Sequence, residues 1–460
     1  MSERNDVLLI EASQWISPTR PSYHKKMGQF PLGLGYISAN LAREGVQSRI
    51  LDLNMLDMNE QSFTEYLLTQ QPKIIGLSSM SGNYSNVKKL SHIIKSTLKK
   101  SYIVCGGIHA SLVKEKILQD CADIDFVITG EAEEVFGSFC NKILSGRKIN
   151  DIPGIIYYNN GEINYGPTPQ YPTNLDELPL PNYEASYVPV ADYFKGYNSQ
   201  KKTLTMITSR GCPHNCPYCS TTEFHGRAYR MRSVNSVMSE IDFLKKTFDI
   251  EQITFIDDSF ASNKNRLKKI CFAIRNMYPK LSWTCSCRLN DLNDEVLKLM
   301  AISGCTKMFV GVESLSDSIQ SMIRKRIPLA KLENVIEIAN KLHIQLTLAF
   351  MLGFPGETNA DRKQLIEFVE KYRYKVTDWR FSPLTIYPGT TFWKEADDYQ
   401  IELNNVNMVD PVGLPKSYVS TILWTDLLQD LIHLYRLSIE SQLKNGSFYN
   451  IISPSVQLQQ

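Results

Sequence analysis

The sequence predicts two successive α/β regions: an N-terminal doubly wound parallel sheet, then a partial (βα)6 barrel, with a small, mainly helical C-terminal region. Three observations carry this. Short apolar runs alternate with amphipathic helical patterns over residues 1–150. Strands separated by helices pair in parallel through right-handed crossovers. The alternation resumes with a longer period over 201–390, where six βα units follow one another, fewer than a full eight-fold barrel. The intervening stretch, 151–200, is punctuated by isolated Pro and Gly and reads as a connector with a small β-element.

In the first region the strands are Val7–Ile10, Arg49–Leu53, Lys73–Ser78, Tyr102–Cys105 and Phe126–Thr129. Amphipathic segments such as Gly35–Arg43 and Ser85–Leu98 lie between them. Five strands so spaced suit the flavodoxin-like order 2-1-3-4-5. In the connector, Asn159-Asn160-Gly161 marks a hairpin turn. In the second region the strands are Thr203–Thr208, Gln252–Ile256, Ser282–Ser286, Lys307–Val312, Gln345–Phe350 and Trp379–Pro383. Helical patterns follow at Val234–Thr247, Asp291–Ile302 and Leu329–Leu342. Residues 391–460 are weaker in pattern, apart from an amphipathic helix at Trp424–Lys444. Ligands are expected at the C-terminal ends of the strands in both regions.

Composition narrows the function. The chain has 460 residues, 43% hydrophobic and 21% charged, which is ordinary globular usage rather than disorder. Its 50 basic and 48 acidic residues leave a net +2, so no general nucleic-acid surface is indicated. The longest apolar stretch near a strand pattern, Leu346–Phe354, is far short of the ~20 residues of a membrane helix. The N-terminus is polar, without a secretory apolar core. The reading is a soluble, cytoplasmic protein. Ten cysteines in a long chain without an export signal favour metal or redox roles over a disulfide scaffold.

Three of those cysteines sit together. Cys212, Cys216 and Cys219 follow the first strand of the second region at CxxxCxxC spacing. Thiolates are the usual protein ligands of iron–sulfur clusters, and three of them on a four-iron cluster leave one iron without a protein ligand. A zinc site completed by His214 or His225 is the competing reading, but no second CxxC clip is present. Cys285 and Cys287 alternate on one strand and face one side. They are read as inward-facing small residues rather than ligands of an auxiliary cluster.

With Tyr218 before the last cysteine, the triplet resembles the radical S-adenosylmethionine (SAM) superfamily. The likeness continues through Gly226–Ser233, Phe255–Phe260, Cys287–Asn290, Gly311–Ser314 and Met351–Glu357. It implies a [4Fe-4S] cluster held by the three cysteines, with SAM chelated to the open iron and cleaved reductively. Under that implication Asp257 and Asp258 accept from the SAM ammonium, Arg288 pairs its carboxylate through a planar fork, and Glu313 accepts from ribose hydroxyls. A salt bridge or helix cap at the barrel rim is the alternative for each.

The N-terminal region resembles the cobalamin-binding domain that precedes some radical SAM domains. The resembling pieces are Pro31–Ile37, Gly76–Met80 with Ser78 and Ser79, Val104–His109 with Gly106 and Gly107, and Thr129–Glu133 with Gly130 and Glu131. Glycine at a strand end lets backbone approach a bulky ligand. The DxHxxG motif that supplies a lower histidine to cobalt is missing; the nearest stretch, Ser22–Met27, lacks the Asp and the Gly. Cobalamin is therefore expected base-off, with His24 a surface loop residue. His109 faces the corrin or is a satisfied loop histidine.

Together the resemblances imply a cobalamin-dependent radical SAM enzyme that methylates an unactivated carbon or phosphorus centre of a small molecule. A cyclase, oxidase or rearranging enzyme without methyl transfer is the enzymatic alternative, and a cobalamin-binding sensor module the non-enzymatic one. The expected partners are a small-molecule substrate and a low-potential electron donor such as flavodoxin or ferredoxin, with no nucleic acid.

Overall fold

The structure is a computed structural model that describes residues 6–12, 28–194, 201–226, 228–403 and 424–444. His24 lies outside the described residues. The chain divides into two compact units. The first is built from residues up to Thr205 together with Ser220–Arg232, and the second begins at Met206–Cys219 and resumes at Ser233.

The first unit is a seven-stranded sheet. Its strands are β1 (Val7–Glu11), β2 (Ser48–Asp52), β3 (Ile74–Ser78), β4 (Tyr102–Gly106), β5 (Phe126–Ile128), β6 (Ile155–Asn159) and β7 (Glu162–Tyr165). They lie in the order β2-β1-β3-β4-β5-β6-β7, so the five-strand doubly wound order is present. The pairs through β5 are parallel. The apolar runs are continuous because helices cover both faces of such a sheet. Leu8, Ile10, Leu51, Ile75, Leu77, Ile103 and Val127 share a core with Phe63, Val87, Leu90 and Ile94 of the flanking helices. Full burial of each such side chain stabilises the fold by ~1.5–3 kcal/mol.

The segment read as a connector does more than join. Strands β6 and β7 pair antiparallel and extend the sheet at β5. Their turn has Asn160 and Gly161 at φ 52° and 82°, the left-handed pair that a two-residue hairpin needs. Farther on, Tyr193 and Tyr183 pack on Phe30, and Ser186 bridges to Ile50 of β2. Long-range pairing of this kind leaves no periodicity in the sequence.

The six-stranded sheet comprises β8 (Thr203–Met206), β9 (Gln252–Phe255), β10 (Ser282–Arg288), β11 (Cys305–Glu313), β12 (Gln345–Leu352) and β13 (Asp378–Pro383). Its order is β13-β12-β11-β10-β9-β8, which is sequential, and the pairs from β9 to β13 are parallel. A sequential parallel sheet that does not close leaves an edge strand whose carbonyls need partners. The helix Trp424–Lys444 supplies them at β13. Ser438 Oγ donates to Trp379 O at 3.1 Å, Ser441 Oγ to Val376 O at 2.8 Å, and Tyr435 OH to Phe381 O. Gln442 Nε2 donates to Asp378 Oδ1 at 2.6 Å. Hydroxyl groups thus stand where a seventh strand would donate. No helix among the described residues is long and apolar enough to cross a membrane.

Candidate active site

In the second unit the chemistry-bearing residues sit at or just beyond the C-terminal strand ends. Beyond β8, Gly211 turns the chain at φ 79°, and Cys212, Cys216 and Cys219 follow, each half-exposed on one loop. Cys219 N donates to Cys216 O at 3.1 Å, closing the turn between the last two. Burial, the largest cause, pushes the Cys212 thiol up to about 11, and the Asp258 carboxylate adds to it. Coordination to a metal deprotonates such a thiol outright. Tyr218 packs edge-on against Phe354, with ring centroids 6.4 Å apart, which fixes the loop from beneath.

The donor set fits a [4Fe-4S] cluster: three thiols, accessible, on one loop, with a guanidinium beside them. Arg288 Nη1 donates to Cys216 Sγ at 3.5 Å. Among the described residues no three His, Cys, Asp or Glu side chains converge on a single-ion site. A cluster does not require that, since its thiolates stand on separate irons. His225, offered above as a zinc ligand, is engaged with Glu131, and His214 Nε2 stands 3.9 Å from Asp291 Oδ2.

The structure distributes the other sequence-derived residues unevenly. Asp258 is exposed, close to Cys212. Asp257 is fully buried and accepts from Thr208 N, Thr208 Oγ1 at 2.7 Å and Ser209 Oγ. Its carboxylate holds the end of β8 in place, and burial raises its pKa. Arg288 spends its second nitrogen on the carbonyls of Arg324 and Lys325, at 2.9 and 3.2 Å. Both terminal nitrogens are thus engaged within the protein, while its buried Nε has no hydrogen-bond partner among the described residues.

Glu313 sits at a bulge where β11 slips against β12, in the left-handed region at φ 74°. Lys325 Nζ bonds Glu313 Oε1 at 2.7 Å and Gly311 O at 2.9 Å. Sequence reasoning missed Lys325, a buried ammonium at the end of β11. A signal was present in Gly311, whose absent Cβ is what admits the amine: a Cβ there would lie 2.9 Å from Lys325 Nζ. Cys285 and Cys287 are buried side by side, with sulfurs 3.5 Å apart.

In the first unit the glycine-bearing strand ends also gather. Gly107 has φ 97° and an ideal Cβ would meet Ser79 O at 2.7 Å and Ser79 N at 3.0 Å. Ser79 N donates to Gly106 O, and His109 N donates to Ser79 O. The ends of β3 and β4 are therefore laced together backbone to backbone, with Ser78 half-buried beside them. A Cβ on Gly106 would meet only Ile128 O, at 3.7 Å, and one on Gly82 nothing within 4 Å. That open space fits a bulky ligand at the strand ends.

His109 does not face it. The imidazole is fully buried, pairs Nδ1 with Ser81 Oγ at 3.0 Å and packs on Tyr84. Burial pushes its pKa down to about 4, so it is neutral.

Gly130 turns at φ 79°, its N–H donating to Ser111 Oγ at 2.8 Å. Glu131 is the surprise of this unit. Its buried carboxylate takes His225 Nδ1 at 2.6 Å and both terminal nitrogens of Arg230, which also donates to Pro172 O at 2.9 Å. Arg230 lies over the Tyr171 ring at 5.4 Å. The segment that follows Cys219 is thereby folded into the first unit. Nothing in local spacing predicts a pair 99 residues apart.

Two family models match the chain: the radical SAM superfamily over residues 206–369 and the B12 binding domain over residues 28–139. An uncharacterized methyltransferase of Pyrococcus horikoshii is 30% identical over 411 residues, covering 88% of each chain. The cytidylyl-2-hydroxyethylphosphonate methyltransferase of Streptomyces wedmorensis is 24% identical, covering 75% of this chain and 73% of its own. Among solved structures, a radical S-adenosylmethionine methyltransferase from Kitasatospora setae, with cobalamin and a [4Fe-4S] cluster bound, superposes with TM-score 0.74 at 16% identity. That match covers 94% of this chain and 89% of the other, and it shows a shared fold.

Proposed function

The chain belongs to the B12-binding radical SAM family, and from that premise we propose that it methylates an unactivated carbon or phosphorus centre of a small molecule. It is a cobalamin-dependent radical SAM enzyme, with a [4Fe-4S] cluster, SAM and cobalamin as its cofactors. The observation that supports methylation is the 30% identity to a methyltransferase over nearly the whole length; a phosphonate methyltransferase among the relatives supports the phosphorus option.

When bound, these groups supply homolytic cleavage of a sulfonium and a cobalt-borne methyl. The residues present do the rest. Cys212, Cys216 and Cys219 would hold the cluster, one thiolate each, with SAM as the further ligand it would take. Arg288 places a positive donor on Cys216 sulfur, which would stabilise negative charge there with the cluster bound. Lys325, fixed by Glu313, sets one cation at the end of β11, suited to a carboxylate. Asp258, exposed close to Cys212, is the carboxylate proposed to accept from an ammonium, and Glu313 the one proposed to accept from hydroxyl groups. In the first unit Gly106 leaves room at the strand ends, and Gly107 and Ser79 lock the backbone around it. No imidazole is assigned to cobalt. The reaction is assigned to the cytoplasm, with a small-molecule substrate and an external low-potential donor.

The test is anaerobic turnover of the reconstituted enzyme with SAM, cobalamin and candidate substrates. Joint appearance of 5′-deoxyadenosine, S-adenosylhomocysteine and a methylated product supports the proposal. Abundant deoxyadenosine without adenosylhomocysteine would instead mark a cyclase or rearranging enzyme.

A further inference from the structure

The segment Arg324-Lys325-Arg326 has an unusual build. Arg324 and Arg326 both occupy the left-handed region, at φ 60° and 48°, where ordinary side chains are rarely found. The backbone between them is pinned from several sides. Arg288 Nη2 donates to Arg324 O and Lys325 O, and Asn290 Nδ2 donates to Lys325 O at 2.7 Å. Arg326 N and Lys325 N both donate to Gln320 O. Lys325 points inward and is 8% exposed, whereas Arg324 and Arg326 point out. Neither outward guanidinium has an ion-pair partner among the described residues. Two further cations border the site: Lys331, whose Nζ donates to Asn290 O at 2.7 Å, and exposed Lys264, whose charge reaches Lys331. Two carboxylates face them: Asp291, half-buried beside Lys331 and accepting from Ser259 and Ser262, and exposed Glu295, which faces Lys264 but is itself paired with Lys268 at 2.6 Å. A nearly neutral chain thus displays a local cationic surface.

Arg288 joins this surface to the cluster loop. Arg288 bonds the carbonyls of this loop with one nitrogen and Cys216 Sγ, at 3.5 Å, with the other.

We propose that Arg324, Arg326, Lys331 and Lys264 form the docking surface for an acidic one-electron carrier protein, with the 324–326 loop and Arg288 as its route to the cluster. This rests on the cluster assignment to Cys212, Cys216 and Cys219. One electron leaves the carrier, which is oxidised by one, and the cluster passes from the 2+ to the 1+ state; no bond or proton is exchanged. Fixed, outward cations steer a negatively charged partner and raise its association rate ~10–1,000-fold at low salt. The pinned backbone fixes where the two arginine side chains leave the surface, so that docking has only their rotamers to order.

The experiment is stopped-flow reduction of the reconstituted full chain, followed by bleaching of the cluster absorbance. The probes are flavodoxin in its hydroquinone state and, separately, photoreduced deazaflavin, a small neutral reductant. In the wild type the flavodoxin rate should fall steeply as ionic strength rises through the range where the Debye length shrinks to ~10 Å. The double variant Arg324→Glu/Arg326→Glu should lose at least about tenfold of the low-salt flavodoxin rate, keep its deazaflavin rate, and lose most of the salt dependence. The neutral pair Arg324→Gln/Arg326→Gln should fall between. A wild-type flavodoxin rate insensitive to salt, or equal flavodoxin rates in wild type and variants, overturns the docking proposal. Failure of the wild type to assemble any bleachable cluster overturns the cluster assignment instead.

Discussion

Two adjacent glycines at the end of β4 should fail in different ways, and the difference tests where cobalamin lies. Gly107 sits at φ 97°, ψ −173°, a region essentially reserved for glycine. Gly107→Ala costs ~1–3 kcal/mol from that conformation alone. Its Cβ would also meet Ser79 O at 2.7 Å and Ser79 N at 3.0 Å, both backbone atoms that cannot rotate away. A loss of about 2–4 kcal/mol of stability is expected. Gly106 has no such constraint: its Cβ would find only Ile128 O, in ordinary contact at 3.7 Å. Gly106→Val should therefore leave the urea unfolding midpoint close to wild type while filling the space left for the cofactor. Cobalamin retained through gel filtration, read by its visible absorbance, should drop at least about tenfold, equivalent to ~1.4 kcal/mol of lost binding. Iron and sulfide content should stay unchanged. Wild-type cobalamin retention in Gly106→Val would refute the placement of the crevice, and an unshifted midpoint in Gly107→Ala would refute the strain argument.

Three further outcomes are expected. Cys212→Ala, Cys216→Ala or Cys219→Ala should each abolish 5′-deoxyadenosine formation, measured chromatographically, because a second iron loses its thiolate. Glu131→Gln removes the buried charge that pairs half-buried Arg230 and His225, so it should cost about 3 kcal/mol and speed hydrogen exchange within residues 220–226 and 228–232. Asp52 is buried under Tyr193 OH at 3.1 Å, and burial, the largest cause, raises its pKa to about 6 from 3.8. The folded protein then holds a proton that the unfolded chain releases between about pH 4 and 6, so this group's ionisation lowers stability as pH rises through that window. The shift corresponds to about 3 kcal/mol. Asp52→Asn, which keeps the acceptor and removes the charge, should raise the urea midpoint at pH 8 and change it little at pH 4.

Features that depend on local spacing are legible in the residues alone. Apolar runs of strand length, separated by helical periods, fix the two parallel sheets, because period and length decide which segments can pair and be buried on both faces. The helix described at Trp424–Lys444 was legible in its 3.6-residue pattern. The cysteine triplet is local too: three thiols within eight residues lie on one loop in almost any fold. Gly107 was legible as a glycine at a strand end, but not the carbonyl it must avoid. The pairings between residues far apart in the chain come from packing instead. The family resemblance implies Asp257 and Arg288 as cofactor ligands; in the fold Asp257 accepts from Thr208 and Ser209, and Arg288 donates to Cys216 and to the carbonyls of Arg324 and Lys325. Lys325 with Glu313, and Glu131 with Arg230, meet across loops whose lengths leave no periodic trace. A side chain's polarity is written in its identity, but the partner that satisfies it is chosen by packing, because a buried charge must find its counterpart wherever the chain brings one within reach.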